Sequence, residues 1–419
     1  MCAGAFLKVA SRERKLQNLP RYVFLSRETG TLGEEIGARR KKCDTGGMTV
    51  TRGRRKGIKK IGILTGGGDA PGINAVIRAA VKVAVRHYRL KVIGIEQGFG
   101  GLIENRTRKL GLKEVRGILP RGGTILGTTN RDNPFHYPVR QADGTIEFQD
   151  VSQRVLENLH RNGIEALIII GGDGSLKIAS QLWERYSVPV VGVPKTIDND
   201  LSATDQTFGF DTALSTATEA IDKLHTTAES HYRIMVLEVM GRYAGWIALQ
   251  AGLAGGADVI LIPEIPFDIN KVCDKIRERS AEGKQFSIVV VAEGARPIGG
   301  EMVVKKVVQD SFEQIRLGGI GNVVGEQIEK LTGIETRVTV LGHLQRGGSP
   351  TPFDRILGSR LGAAAVNLLM EGRFGEMVCL RTPHIASVPL AEAVGEMRRV
   401  PLGSDMVRMA RQIGISFGN

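Results

Sequence analysis

Three short stretches concentrate residue types that handle phosphate. Pro194-Lys195-Thr196-Ile197-Asp198-Asn199-Asp200 gathers a cation, a hydroxyl and two carboxylates. Phosphoryl transfer to an alcohol needs a base near the attacking hydroxyl and cations near the moving group, and this loop carries both. Asp198 is the candidate base. A solvated Asp-rich turn is the plain alternative, but turn chemistry gives no reason for Lys195 or Thr196. A second stretch, Gly171-Gly172-Asp173-Gly174-Ser175, follows the apolar run 166–170. Its glycines make room at a strand's carboxyl end, where phosphates would repel Asp173 unless a cation bridged them. Asp173 therefore reads as a magnesium holder, with a cap on a helix predicted over 174–185 as the alternative. The third stretch, from Thr65 through Gly66, Gly67, Gly68 and Asp69 to Asn74, lies between a strand and a helix predicted over 72–87. Glycines let the backbone approach phosphate oxygens, and the helix start adds free N–H groups; a packing turn would look the same.

Cations recur at other predicted strand ends and in loops: Arg131, Arg233, Arg242, Arg337, His343 and Arg346. The arginine fork suits phosphate, so the set points to a sugar phosphate and a nucleotide phosphate held close together. Glu293, ending another apolar run, would accept hydrogen bonds from sugar hydroxyls or sit in a salt bridge.

The elements that must position these residues are short apolar runs alternating with helical patterns. Strands are predicted near 60–65, 91–96, 164–170, 188–193, 233–239, 258–262, 286–292, 336–341 and 377–381. Such a βαβ succession predicts an α/β fold with mostly parallel sheets flanked by helices, and ligands outside the carboxyl ends of the strands. A chain of 419 residues exceeds the usual single core, so two Rossmann-like lobes with the active site in the cleft between them are expected.

The net charge of +13 would suit nucleic acid or an anionic membrane, but residues 1–60 hold 16 Lys and Arg against 5 Asp and Glu. The remaining 359 residues carry 41 against 39 and are nearly neutral. Neither nucleic acid nor membrane is therefore expected as a partner, and no apolar run of spanning length or secretory signal is found. Cys2, Cys43, Cys273 and Cys379 stand far apart with no metal-ligand spacing, and read as reduced thiols of a cytoplasmic protein. Residues 1–58 show no periodicity and read as a basic extension. Met48 is a candidate start, and a disordered arm or a targeting peptide are the alternatives.

The motifs GGDAPG, GGTxLG, GGDGS, PKTIDND, EVMGR, AEGA and LGHLQRGGSP occur in this order. Together they resemble the phosphofructokinase A family from about Lys60 to about Val400. The resemblance implies phosphoryl transfer from ATP to the 1-hydroxyl of fructose 6-phosphate, the committed step of glycolysis, with Mg²⁺. It implies that Gly68, Arg131, Asp132, Gly172, Asp173, Gly174 and Ser175 bind the nucleotide, with Asp173 on the metal. It further implies Asp198 as base, Thr196 on the transferring phosphoryl group and Arg242 offsetting its charge. Met240, Gly241, Arg242, Glu293, His343 and Arg346 would hold the sugar phosphate. Arg233 and Arg337 would reach it from a neighbouring subunit, which implies a homo-oligomer, a tetramer. The lobes would be 59–209 plus about 345–385 for the nucleotide, and 210–344 plus about 386–419 for fructose 6-phosphate.

Two positions disagree about the donor. Pyrophosphate-using members tend to carry Asp where Gly174 leaves room for ATP, yet Lys195 is usual in that group. The open pocket is the steric precondition, so ATP is expected, with a pyrophosphate-dependent enzyme as the alternative. Of the cations that serve effector binding in bacterial members, Arg78, Lys82 and Lys284 match, whereas His225 and Glu282 do not. Trp246 reads as filling a packing gap.

Overall fold

The computed structural model describes residues 57–141, 143–307 and 315–419. The extension expected over 1–58 therefore lies almost wholly outside the described residues. All nine expected strands form, with ends shifted by a few residues. Six further strands were not foreseen: Thr107–Leu110, Tyr137–Arg140, Ile146–Gln149, Val304–Val307, Ile315–Leu317 and His384–Pro389. All lie in antiparallel pairs, and several carry Arg, Lys or Pro that blur the alternation.

The larger sheet runs, in spatial order, His384–Pro389, Glu376–Arg381, Val190–Pro194, Ala166–Gly171, Lys60–Thr65, Lys91–Ile95 and Thr107–Leu110. Its five inner strands are parallel and its two edge strands antiparallel. Helices cover both faces, so the central strand Ala166–Gly171 is wholly buried and reads as an unbroken apolar run. The two-residue period still sorts its side chains. Ile168 and Ile170 face the helices Ile73–Arg86 and Pro352–Met370, while Leu167 and Ile169 face Ser152–Asn162 and Asp173–Tyr186. The first helix pair meets at backbone distance, because a Cβ on Gly362 would stand 2.4 Å from the Val76 carbonyl oxygen.

The second sheet is all parallel, in the order Thr336–Val340, Ile234–Val239, Ser287–Ala292, Val259–Leu261. Helices Phe210–His231 and Trp246–Ala254 pack on one face, and Ile269–Ala281 and Ile320–Thr332 on the other. The chain stays with the first sheet past residue 385, since His384–Pro389 pairs there and Leu390 and Ala393 join its core. Val400, Val407, Ala410 and Phe417 then return to the second core. Among the described residues no helix is long and apolar enough to cross a membrane.

Candidate active site

Carboxyl ends of strands from both sheets open on one cleft of about 370 Å³. It is lined by Gly68, Arg131, Asp132, Gly172, Asp173, Gly174, Ser175, Thr196, Asp198, Met240, Arg242, Glu293, His343 and Arg346, all expected from the sequence. Gly241 is not among the lining residues; it bends the turn between Met240 and Arg242 with φ of +135°. Arg233 and Arg337 are also absent from the lining, and both pair with Glu335, Arg233 Nε at 2.7 Å from its Oε2.

The strand Lys60–Thr65 delivers the turn Gly66–Asp69. Gly67 takes φ of +78°, donates its N–H to the Thr129 carbonyl at 2.9 Å, and accepts from Thr128 Oγ1 at 2.6 Å. The turn is thereby bolted to the loop carrying Arg131. A Cβ on Gly68 would lie 2.7 Å from Arg346 Nη1, which donates to the Asp69 carbonyl at 3.1 Å. The expected helix start lies elsewhere: Gly72 packs against Phe208 and Asp354, and Ile73, Asn74 and Ala75 are buried outside the cleft. The turn's backbone, not the helix terminus, meets the cleft.

A helix terminus does face it in the second motif, where Gly172, Asp173, Gly174 and Ser175 line the wall. Its free N–H groups and positive dipole end favour an anion. Asp173 is not the cap of this helix; Gly172 holds that position without a side-chain bond, and Asp173 pairs with Lys177 at 2.8 Å. Ser175 is buried against two glycines, because a Cβ on Gly66 would stand 2.4 Å from its Oγ and one on Gly171 2.3 Å from its Cβ.

Val190–Pro194 delivers the loop with Asp198. Its shape comes from Thr207, whose Oγ1 donates to the Thr196 carbonyl at 2.8 Å, and whose N–H donates to Asn199 Oδ1 at 3.1 Å. Asn199 is in the left-handed region at φ of +53°, which a short amide side chain tolerates better than most. The Asp198 N–H donates to Thr196 Oγ1 at 3.1 Å. Lys195 is 4 % exposed and donates to the Gly68 carbonyl. Burial, followed by the nearby Arg346 charge, pulls its amine down to about 8, against the pull of Asp69, Asp200 and Asp198. Burial and then the charge of Asp198 push Asp200 up to about 7.

The second sheet contributes longer side chains. Ile234–Val239 leads to Met240 and Arg242, the latter stacked 5.6 Å from the Tyr243 ring centroid. Ser287–Ala292 leads to Glu293, raised by burial and eased downward by Arg242. Thr336–Val340 leads to a short helical turn, Gly342–Arg346, that presents His343 and Arg346. Asp354 joins the cores: wholly buried on helix Pro352–Met370, it accepts from Gly209 N, Thr212 N and Thr212 Oγ1 at 2.8, 2.8 and 2.6 Å.

Several cleft residues escaped the sequence reading: Asp69, Phe99, Asn130, Asn133, Asp200, Tyr243 and Met397. Asp69 and Asp200 sit inside motifs already marked and were legible as carboxylates at strand ends. Phe99 and Met397 lie outside every motif and carried no local signal.

The phosphofructokinase family model matches residues 60–369. A relative from Chloroflexus aurantiacus named ATP-dependent 6-phosphofructokinase is 57% identical over 86% of this chain and 98% of its own. One from Streptomyces coelicolor named pyrophosphate–fructose 6-phosphate 1-phosphotransferase is 52% identical over 86% of this chain and all of its own. The solved phosphofructokinase of Saccharomyces cerevisiae is 32% identical, with a TM-score of 0.67 over 80% of this chain and 45% of that one. With the motifs in order, their residues gathered at the strand ends and relatives matched along nearly their full length, the chain belongs to the phosphofructokinase family.

Proposed function

We propose that the protein transfers the γ-phosphoryl group of ATP to the 1-hydroxyl of D-fructose 6-phosphate, giving fructose 1,6-bisphosphate and ADP. The observation that carries this reading is the convergence of Asp198, the glycine turns and the Arg242–Arg346 pair on one cleft. Asp198 takes the proton of the attacking hydroxyl as its oxygen bonds to phosphorus and ADP departs. Thr196 contacts the phosphoryl group, and Arg131 and Arg242 offset its charge. Gly68, Asp132, Gly172, Gly174 and Ser175 shape the nucleotide side, on the lobe formed by 59–209 with about 345–393. Met240, Gly241, Glu293 and His343 hold the sugar phosphate from the lobe formed by 210–344 with about 394–419, joined by Arg346 at the end of the turn Gly342–Arg346.

Magnesium suits the carboxylates present. Asp173 is partly exposed in the cleft wall, and among the described residues no group of three or more His, Cys, Asp or Glu could cage a metal. One carboxylate with substrate phosphates and waters is the usual magnesium arrangement. The ion would neutralise charge on the donor phosphates.

Arg233 and Arg337 supply the sugar-phosphate site of a neighbouring subunit, making the enzyme a homo-oligomer, a tetramer. Their position outside this chain's own cleft supports that reading. Cytoplasmic placement is supported by Cys273 and Cys379, both buried free thiols, as a reducing compartment keeps them.

A pyrophosphate-dependent enzyme is the second reading, favoured by Lys195 and by the name of the Streptomyces relative. Product formation from fructose 6-phosphate and Mg²⁺, run in parallel with ATP and with pyrophosphate, separates the two. Turnover with ATP alone is expected. Turnover with pyrophosphate alone would make Lys195 the better guide, and none with either would remove fructose 6-phosphate as acceptor.

A further inference from the structure

The last stretch before the chain returns to the second core crosses both walls of the cleft. Met397 lines the cleft and bridges in antiparallel fashion to Leu201, one residue past the Asp198 loop. The Arg398 N–H donates to the Asp200 carbonyl at 2.8 Å, and its Nη1 donates to the Asp205 carbonyl at 2.7 Å. Both contacts belong to the first wall. From the other side, Trp246 Nε1 donates to the Arg398 carbonyl at 2.9 Å, and the guanidinium lies 4.7 Å from the Trp246 ring centroid. Two residues on, the Val400 N–H donates to Glu264 Oε1 at 2.8 Å, and the same carboxylate accepts from Gly245 N. Gly245 and Trp246 directly follow the turn that carries Arg242 and Tyr243 into the second wall.

Trp246 is thus more than packing filler. Its ring is 7 % exposed, its one polar atom is committed to the strap, and its face holds a cation whose guanidinium burial disfavours in the charged form. A partly desolvated arginine over an indole is held more firmly than one in water. Arg398 thus holds contacts on both walls at once.

We propose that Met397–Val400 is a positioning strap that sets the distance between the Asp198 loop and the Arg242 turn, with Arg398 and Trp246 as its positioning residues. Neither residue touches the reacting atoms. Their effect is on alignment, and a misplacement of about 1 Å between reacting groups costs roughly a hundredfold in rate. The inference rests on the phosphotransfer reading, and the unaltered enzyme's turnover with ATP is the reference that tests that reading separately.

The test is a double-mutant cycle on the full chain with Arg398→Gln and Trp246→Phe, measuring kcat, both KM values and Tm. Arg398→Gln should lower kcat roughly 10- to 100-fold and Trp246→Phe by a smaller factor, with the nucleotide KM within about twofold. The double variant should be no slower than Arg398→Gln alone, because the two residues act through one strap. Arg398→Lys keeps a charge over the ring without the planar fork and should recover part of kcat. Multiplying single effects, or kcat within twofold of the unaltered enzyme in folded Arg398→Gln, would overturn the proposal. Should Arg398→Gln not fold, Trp246→Phe and Arg398→Lys decide it by the same kcat criterion.

Discussion

At two of its turns the first sheet meets the cleft with backbone. Gly67, Gly68, Gly172 and Gly174 bring main chain to the surface, and Ser175 wedges behind them. The second sheet meets it with length: Met240, Arg242, Glu293, His343 and Arg346 reach in from turns set further back. A wall made of main chain is damaged by adding an atom, whereas a wall made of side chains is damaged by removing one. The loop with Asp198 belongs to the first sheet yet works through its carboxylate, so it tests where that division stops.

The largest effect is expected there. Asp198→Ser should lower turnover by roughly 10²- to 10⁴-fold while fructose 6-phosphate binding, followed by calorimetry, stays near that of the unaltered protein. Retention of more than a tenth of turnover would show that Asp198 is not the base.

Gly68→Ala adds one methyl to the backbone wall. The new Cβ would stand 2.7 Å from Arg346 Nη1, the mobile end of a long side chain, so the fold yields easily but the cation leaves its place. Activity should drop roughly 10- to 100-fold with Tm nearly unchanged. An equal loss of stability and activity would mean that the walls are not independent.

Asp354→Asn probes the joint between the two cores. It leaves three donors facing one oxygen, and a buried donor without an acceptor costs about 1–3 kcal/mol, readable as a lower urea midpoint at constant slope. A midpoint unchanged at pH 7 would show that the joint carries no load.

The smallest effects are in pH dependence. Lys195, down from its ordinary 10.5 to about 8, gives up its proton in the folded protein before it does in the unfolded chain. Between those values the unfolded chain binds more protons, so this group makes stability rise with pH there. Activity should nonetheless decline above pH 8 as the cation beside Gly68 is lost, and Lys195→Met should abolish that decline. Asp200 acts in the opposite direction. Raised from 3.8 to about 7, it keeps a proton in the folded state that the unfolded chain has released, so its contribution falls as pH rises from about 4 to 7. Asp200→Asn should flatten that part of the stability profile; an unaltered profile would place the carboxylate in a wetter setting.

What the sequence made legible follows from the same division. Glycines clustered after apolar runs betray a backbone wall because they let main chain come close to a ligand, and Asp198 and Asp173 stood out as carboxylates where phosphates belong. The strand Ala166–Gly171 was likewise readable, since burial on both faces leaves an unbroken apolar run. The position of helix 73–86 relative to the cleft was not, because a glycine turn before a helix looks the same whether the ligand meets the turn or the terminus. Nor was the link from Arg398 to Trp246: residues 152 positions apart in the chain leave no local pattern when they meet. Thr207 escaped for a related reason, as a single threonine before a helix reads as an ordinary helix approach.

The larger sheet encloses the smaller one in chain order. Strand Val190–Pro194 finds its neighbour Glu376–Arg381 only after about 180 further residues, and the whole second sheet is spelled out in between. On a ribosome adding roughly 5–20 residues per second, that edge waits some 10–40 s without its partner. An open parallel edge is a template for association with other chains. Newly made copies are therefore most in need of chaperone shelter in this interval, after the sheet Ile234–Val340 has emerged and before the larger one can close.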